Sequence, residues 1–244
     1  MSLLNNSFVY LGEKSDQHYK NIRIYADLGL HQDIADRVVK VARPGAKILD
    51  FGCGEGALSE RLKDLGFDLV SVDMEEEKFQ ASTSFFQLNF NDSEAVASFI
   101  ESRQGQFDVV LGIEVIEHVE NQWDYVRDLK KLLKPEGHIV VTTPHTTSWL
   151  SRLTFLTTGR FHQFFDGDLS YGHISPLSPW ELQLILSRCD FEDVQMTTGG
   201  TLPPLYFANL KFSLATCLGI LLRPFMFRGS KNGWCLIATA KKKA

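Results

Sequence analysis

The sequence predicts an α/β domain organised around a parallel sheet. Three observations point there. Short apolar runs alternate with helical patterns along most of the chain. One run passes straight into three glycines spaced by two, Gly52, Gly54 and Gly56, and the next ends in an acid, Asp73. The 244 residues, 44% hydrophobic and 23% charged, are enough for one sizeable domain with insertions, read here as spanning 1–244.

Taken in order, apolar positions at helical spacing (Ile34, Val38, Val39, Val41) predict a helix over about 19–42, stopped by Pro44-Gly45. Strands follow near 47–51, 68–72, 84–88, 107–112 and 137–143, alternating with helical patterns near 57–66, 93–103 and 121–134. Strand and helix in turn mean parallel pairing. Two further strands, Phe191 to Thr198 and Trp234 to Ala240, close the chain.

Glycines at the carboxyl end of a buried strand let backbone approach a ligand where a side chain would block it. Gly52, Gly54 and Ala57 satisfy the dinucleotide pattern G-x-G-x-x-G/A in its weaker form, so a nicotinamide cofactor is one candidate. A pyrophosphate, however, would meet Asp50 and Glu55 flanking the glycines. S-adenosylmethionine has no phosphate, and its sulfonium and ammonium outweigh its carboxylate, so an acidic rim suits it better. Asp73 can accept both ribose hydroxyls of either cofactor; its bland alternative is a strand-end Asp capping the next turn.

The stretches Ile48-Leu49-Asp50-Phe51-Gly52-Cys53-Gly54-Glu55-Gly56, Phe107-Asp108-Val109-Val110, Glu114-Val115-Ile116-Glu117-His118-Val119 and Leu132-Leu133-Lys134-Pro135-Glu136-Gly137-His138-Ile139-Val140-Val141-Thr142-Thr143-Pro144 occur in this order. Together they resemble class I S-adenosylmethionine-dependent methyltransferases, above all the branch with ubiquinone-biosynthesis O-methyltransferases, over roughly residues 20 to 200. The resemblance implies a Rossmann-like sheet of seven strands, mostly parallel with one antiparallel terminal strand, and helices on both faces. It implies that the 19–42 helix lies over the cofactor. It places Asp50, Gly52, Cys53 and Gly54 at the methionine moiety, with backbone from Gly52 to Gly56, Asp73 at the ribose and Met74 against the adenine. In Leu88-Asn89-Phe90-Asn91 the family often has an Asp contacting the adenine amino group; here the position is Asn89, beside Phe90, and an amide oxygen can accept the same hydrogen bond. Ile113 is expected over the cofactor from the fourth strand.

A net charge of -5 argues against a nucleic-acid partner, and the Lys241-Lys242-Lys243 tail reads as a solvated terminus. Cys53, Cys189, Cys217 and Cys235 are scattered with no C-x-x-C pair, which argues against a disulfide framework or zinc site and fits a reducing cytoplasm. Asn5 and Asn6, without a basic start or long apolar run, argue against a signal peptide.

Two segments exceed ordinary connections. Residues 144–179 are rich in aromatics and histidine (Trp149, Phe161, His162, Phe164, Phe165, His173) and leave the fifth strand beside the expected crevice, which suggests a lid over an acceptor pocket; the alternative is a satellite hydrophobic cluster. The apolar segment 202–228 replaces a tight hairpin. Asn209, Lys211, Ser213 and Thr216 interrupt it and Pro224 ends it, so it falls short of a membrane span. Packing on its own domain, a homodimer contact, or contact with a membrane surface or lipid-linked acceptor are its readings.

Methyl transfer is an in-line displacement on an activated carbon, so few catalytic side chains are required. A hydroxyl acceptor needs a base, and His118, His145, His162 and His173 lie within reach of the crevice, with His118, His145 and His173 taken as catalytic candidates. Glu114, Glu117 and His118, at i, i+3 and i+4, would share one side of a helix and could hold Mg²⁺ or Mn²⁺ to polarise vicinal acceptor oxygens. The small-RNA 3′-terminal 2′-O-methyltransferases have a similar E-x-x-E-H, and His173, just before Ser178-Pro179-Trp180, matches their further histidine. Metal-free relatives share E-x-x-E-H, and Glu117 and His118 could simply orient the turn. The reading is a cytoplasmic O-methyltransferase of a small molecule. RNA, saccharide or lipid-linked acceptors with metal assistance are alternatives, as are an NAD-dependent oxidoreductase and a cofactor-binding protein without catalysis.

Overall fold

The computed structural model describes residues 9–10, 17–200, 205–206, 209–226 and 233–243. Seven strands form the main sheet: β1 (Lys47–Phe51), β2 (Asp68–Asp73), β3 (Ser84–Gln87), β4 (Phe107–Gly112), β5 (Leu133–Pro144), β6 (Phe191–Gly199) and β7 (Cys235–Lys242). Their spatial order is β3-β2-β1-β4-β5-β7-β6. The pairs from β3 through β5 are parallel, whereas β7 runs antiparallel to both β5 and β6. The order reverses between β1 and β4, where Ile48 pairs Val109 and Asp50 pairs Leu111; ligands of open α/β sheets bind at the carboxyl ends beside such a switch.

Local signals start the helices where the chain leaves a strand. Asp92 accepts hydrogen bonds from the Glu94 and Ala95 amides to open α3 (Ser93–Ser102), and Asn121 accepts from Asp124 to open α4 (Gln122–Leu132). Ser178 caps α7 (Pro179–Arg188), with Pro179 supplying the preset first turn. α2 (Ala57–Asp64) begins directly from Gly56. The core divides across the sheet. Leu49, Phe107, Val110 and Ile139 face α4 and α7, while Ile48, Val109 and Val140 face α1 (Leu30–Val41) and α2. The side chains of β4 and β5 thus alternate between two dry layers, as strands buried on both faces must.

Three expectations shift. The first helix begins at Leu30, not near 19, because Gly29 takes a left-handed φ of 83° and residues 18–23 form a small antiparallel pair, His18–Tyr19 with Ile22–Arg23. That pair is drawn onto α2: Lys20 Nζ lies 2.7 Å from Glu60 Oε1, and the Tyr19 hydroxyl donates to Asp64 at 2.7 Å. The fifth strand starts at Leu133, since α4 ends before the Lys134-Pro135 step and Leu133 pairs Phe107 ahead of a register shift. Segment 144–179 carries two helices, α5 (Trp149–Thr158) and α6 (Asp166–Leu169), joined by irregular chain.

Within the expected 202–228 insertion, Leu205–Tyr206 pairs in parallel with Val9–Tyr10, and α8 (Leu210–Met226) packs on α5. Residues 202–204, 207–208 and 227–228 of that expectation lie outside the described residues, as do Asn5 and Asn6. No described helix is long and apolar enough to cross a membrane.

Phe107, fully buried at the start of the central β4, is with Phe191 one of the two largest such side chains among the described residues. Phe107→Ala is expected to cost about 3–5 kcal/mol in urea unfolding; a loss under about 1 kcal/mol would show that the layer refills the cavity.

Candidate active site

The glycine loop leaves β1 under tight restraint. The Gly52 and Cys53 amides both donate to Val72 O, at 2.8 and 3.1 Å, and the Gly54 amide donates to Asp73 Oδ2 at 2.8 Å. Asp73 Oδ1 accepts from the Met74 amide at 2.7 Å, so this carboxylate clasps the loop to the end of β2. Gly52 sits at φ 94°, and a Cβ there would stand 2.5 Å from Val115 Cγ2. Only glycine allows the turn after β4 to come so close.

Asp50 does not lie on the rim. It is buried beneath the loop, accepting the Ser59 hydroxyl at 2.6 Å, with Ser71 Oγ donating to Ser59 in turn. Burial pushes its carboxyl up to about 6, against the opposing Ser59 hydrogen bond. Its role here is to anchor α2 behind the glycines, while Glu55 accepts a hydrogen bond from exposed Gln80. Cys53 and Met74 flank the clasp, and Met74 is exposed. Asn89 uses its side-chain oxygen to accept from the Asn91 amide at 3.0 Å, and Phe90 packs on Phe51 with ring centroids 4.8 Å apart. Ile113 is buried in the layer beneath α1.

The five residues from Glu114 to His118 do not form the expected helix face. Glu114 takes a left-handed φ of 54°, and only Ile116–His118 make a short 3₁₀ turn. Glu114 is therefore turned away from its expected partners. Its amide donates to Thr142 Oγ1 at 2.9 Å, that hydroxyl donates to Glu114 Oε1 at 2.7 Å, and the Cys235 thiol lies 3.4 Å from Oε2 and 3.0 Å from Asp27 Oδ2. Burial, then the nearby Asp27 charge, pushes Glu114 up to about 7. Glu117, His118 and His173 do converge, with one candidate ligand atom from each within 4.8 Å of the others. The expected four-residue metal set is thus three residues, and Glu114 belongs to a separate group with Asp27 and Cys235.

The segment after β5 delivers His173 to this cluster. The Ile174 and Ser175 amides donate to Glu117 O at 3.1 and 3.0 Å, and Ser175 Oγ donates to Val119 O at 2.8 Å. Gly172 passes so near that a Cβ would stand 2.8 Å from His118 Nδ1. The two imidazoles meet edge to face at 4.9 Å. His173 Nδ1 lies 2.8 Å from Gln163 O, so it carries the proton and Nε2 keeps the lone pair. Burial lowers His118 below the usual imidazole range, with His173 adding to the effect. Glu117 is fully buried; no hydrogen bond of good geometry reaches either carboxylate oxygen, although the Thr143 hydroxyl lies alongside. Burial first and Glu114 second hold its carboxyl well above the ordinary range.

His145 does not join the site. Nδ1 lies 3.1 Å from Gly233 O and Nε2 3.1 Å from Thr147 Oγ1, so Nδ1 ties the end of β5 to the chain entering β7 and Nε2 holds the turn that follows β5. His162 is likewise packed away, stacked on Trp234 at 5.0 Å with burial pushing it down to about 4. Sequence reasoning missed Asp27, Thr142 and Cys235. Thr142 alone carried a signal, its position near the carboxyl end of a sheet strand. Of two surface grooves, of about 550 and 530 Å³, one is lined by Lys47, Asp68 and Arg103, the other by Phe90 and residues of α3 and α4.

A family model described as a methyltransferase domain matches residues 23–196, covering the glycine loop, the Glu114–His118 turn and His173. The chain belongs to the class I S-adenosylmethionine-dependent methyltransferase family. Ubiquinone biosynthesis O-methyltransferase of Caulobacter sp. (strain K31) is 35% identical over 108 residues, 42% of each chain. The protein of that name from Roseobacter denitrificans is 39% identical over 104 residues, 41% of each. The chain therefore spans less than half the length of these curated relatives. Among solved structures, a SAM dependent methyltransferase from Archaeoglobus fulgidus superposes with a TM-score of 0.58 at 17% identity, covering 87% of this chain and 94% of that one. A Haemonchus contortus phosphoethanolamine N-methyltransferase 2, complexed with phosphomonomethylethanolamine and S-adenosylhomocysteine, gives 0.56 at 14% identity over 91% of this chain and 55% of its own. Both likenesses concern the fold of this methyltransferase.

The raised acids set a pH dependence. Folded Glu114, near 7, and Asp50, near 6, retain protons that the unfolded chain releases around pH 4 to 5. Their contribution to stability is fully present below about pH 4 and is lost as pH rises through about 6 to 7. The melting temperature is expected to fall across that window, and Glu114→Gln to flatten the fall. An unchanged slope in the variant would remove Glu114 as a cause.

Proposed function

We propose that this protein transfers a methyl group from S-adenosylmethionine to a hydroxyl oxygen of a small-molecule acceptor. One observation carries the reading: Val115 packs on Gly52, so the turn that bears Glu117 and His118 meets the glycine loop, and His173 joins those two residues. In this reading Gly52, Cys53 and Gly54 line the methionine end of the donor, Asp73 exchanges its clasp on Gly54 for the ribose hydroxyls, and Met74, Asn89 and Phe90 border the adenine. Ile113 supports the donor from beneath. Residues 144–179 act as the lid, excluding water from the reacting pair. The oxygen–methyl bond forms as the methyl–sulfur bond breaks, leaving a neutral thioether. The hydroxyl proton passes to His173 Nε2 or to His118, whose lowered affinity for protons keeps it neutral and ready to accept one. The curated relatives named as ubiquinone O-methyltransferases support oxygen as the atom methylated.

Binding tests the donor assignment. S-adenosylmethionine is expected to raise the melting temperature while NAD does not, and Asp73→Asn to weaken donor binding about tenfold or more through lost charge-assisted hydrogen bonds. Stabilisation by NAD alone would overturn the reading.

A second reading, a divalent cation at Glu117, His118 and His173, is favoured by the two shielded Glu117 oxygens that lack a well-formed hydrogen bond. The mixed carboxylate–imidazole set suits Mn²⁺ better than Mg²⁺. A metal held there would lower the pKa of an acceptor hydroxyl. A panel of phenols, catechols, saccharides and lipid-linked sugars, assayed with labelled donor with and without EDTA, identifies the acceptor and checks the metal. Activity unchanged in EDTA, with no heat on titrating manganese into the donor-loaded protein, would end the metal reading.

A further inference from the structure

Helix α8 presents an apolar stripe that the fold does not use. Leu210, Leu214, Leu218 and Leu221 recur at helical spacing within roughly a quarter of its circumference, and all four are exposed, Leu210 by 76% and Leu221 by 73%. Thr216, on the opposite side, is the buried one. α8 packs on α5, where Phe155 and Leu156 are also exposed, Leu156 by 73%. Two adjoining helices thus add their apolar side chains to one another, and scattered single leucines would not do this.

The charge around this face is one-sided. Neither α5 nor α8 contains an Asp or Glu, in a chain whose net charge is -5, and Arg152 on α5 and Lys211 on α8 are exposed. A second copy of an acidic protein would gain little from a basic rim, whereas an anionic lipid headgroup layer complements it, and leucines fit the acyl boundary just below. α8 is too short to span a bilayer, so it would lie in the interface plane. It also lies beyond residue 196, outside the part of the chain shared with the family.

We propose that the α5–α8 face docks this protein on an anionic membrane surface. Because α5 belongs to the segment that brings His173 to the candidate site, docking would orient that site toward an amphipathic acceptor carried in the bilayer. That clause rests on the methyl-transfer reading; docking itself does not.

Flotation with phosphatidylcholine vesicles, with or without phosphatidylglycerol, tests it. The protein is expected to float with the anionic vesicles and to lose binding in high salt. Leu214→Glu/Leu218→Glu is expected to reduce partition about tenfold or more, at unchanged melting temperature and S-adenosylmethionine binding. Lys211→Glu should weaken it several-fold and flatten the dependence on anionic lipid. Absence of flotation with either vesicle, or flotation indifferent to the leucine pair, would overturn the proposal. So would a dimer in sedimentation that the leucine pair abolishes, since that assigns the face to a second copy. None of these outcomes bears on methyl transfer, which donor binding and turnover test separately.

Discussion

The approach of Gly52 to Val115 is the constraint on which the rest of the candidate site depends. Two chain segments far apart in sequence, the loop after β1 and the turn after β4, must share a space that leaves no room for a Cβ. Parallel pairing of β1 with β4 brings their carboxyl ends level, since Asp50 pairs Leu111 and each strand then breaks within a few residues. The loop and the turn are thereby forced over the same edge of the sheet. Strand pairing thus brings the two segments together, and the Val115 side chain fills the space that Gly52 leaves open.

Around that contact the protein accepts costs that a purely structural design would avoid. Glu114 holds a left-handed backbone conformation, which costs a residue with a Cβ about 1 kcal/mol or more. Glu117 keeps a carboxyl in the dry interior without a well-formed hydrogen bond, a penalty of about 1–3 kcal/mol. The two interact through space: Glu114 raises the affinity of Glu117 for protons, and Asp27 raises that of both. The left-handed Glu114 and the buried Glu117 stand within one short turn after β4, beside the layer of Leu49, Phe107 and Ile139.

The segment after β5 converts a loop into part of the site. It is tethered at both ends: Thr146 Oγ1 donates to Leu177 O at 2.6 Å, and His145 fastens the entry to β7. Between these ties its backbone amides at 174 and 175 bond to Glu117 O, so His173 can meet His118 only when the whole segment is in place. A histidine distant in sequence is thereby coupled to the turn it completes, and any opening of the segment would separate the pair.

The sheet, the place of most of its strands and the glycine loop were legible in the sequence because each depends on local pattern. Buried parallel strands read as apolar runs such as Ile48-Leu49 and Val109-Val110, and a glycine that must adopt positive φ is visible wherever it stands. The start of helix α1 was not legible, because Lys20 and Tyr19 answer to Glu60 and Asp64 on another element, a tie that no window of sequence contains. The E-x-x-E-H spacing suggested one helical face, yet the backbone turns at Glu114 because Thr142 on β5 supplies both a donor and an acceptor to it. His145 and His173 have the same chemistry on paper. Only the folded chain decides that the first spends its nitrogens on Gly233 O and Thr147 Oγ1 while the second lies edge to face with His118. The sequence by itself determined the class of fold and the glycine loop, since those depend on periodicity and on the absence of side chains. Which acids and histidines act together was decided by tertiary structure alone, because their environment is made by residues brought together from β1, β4, β5 and β7.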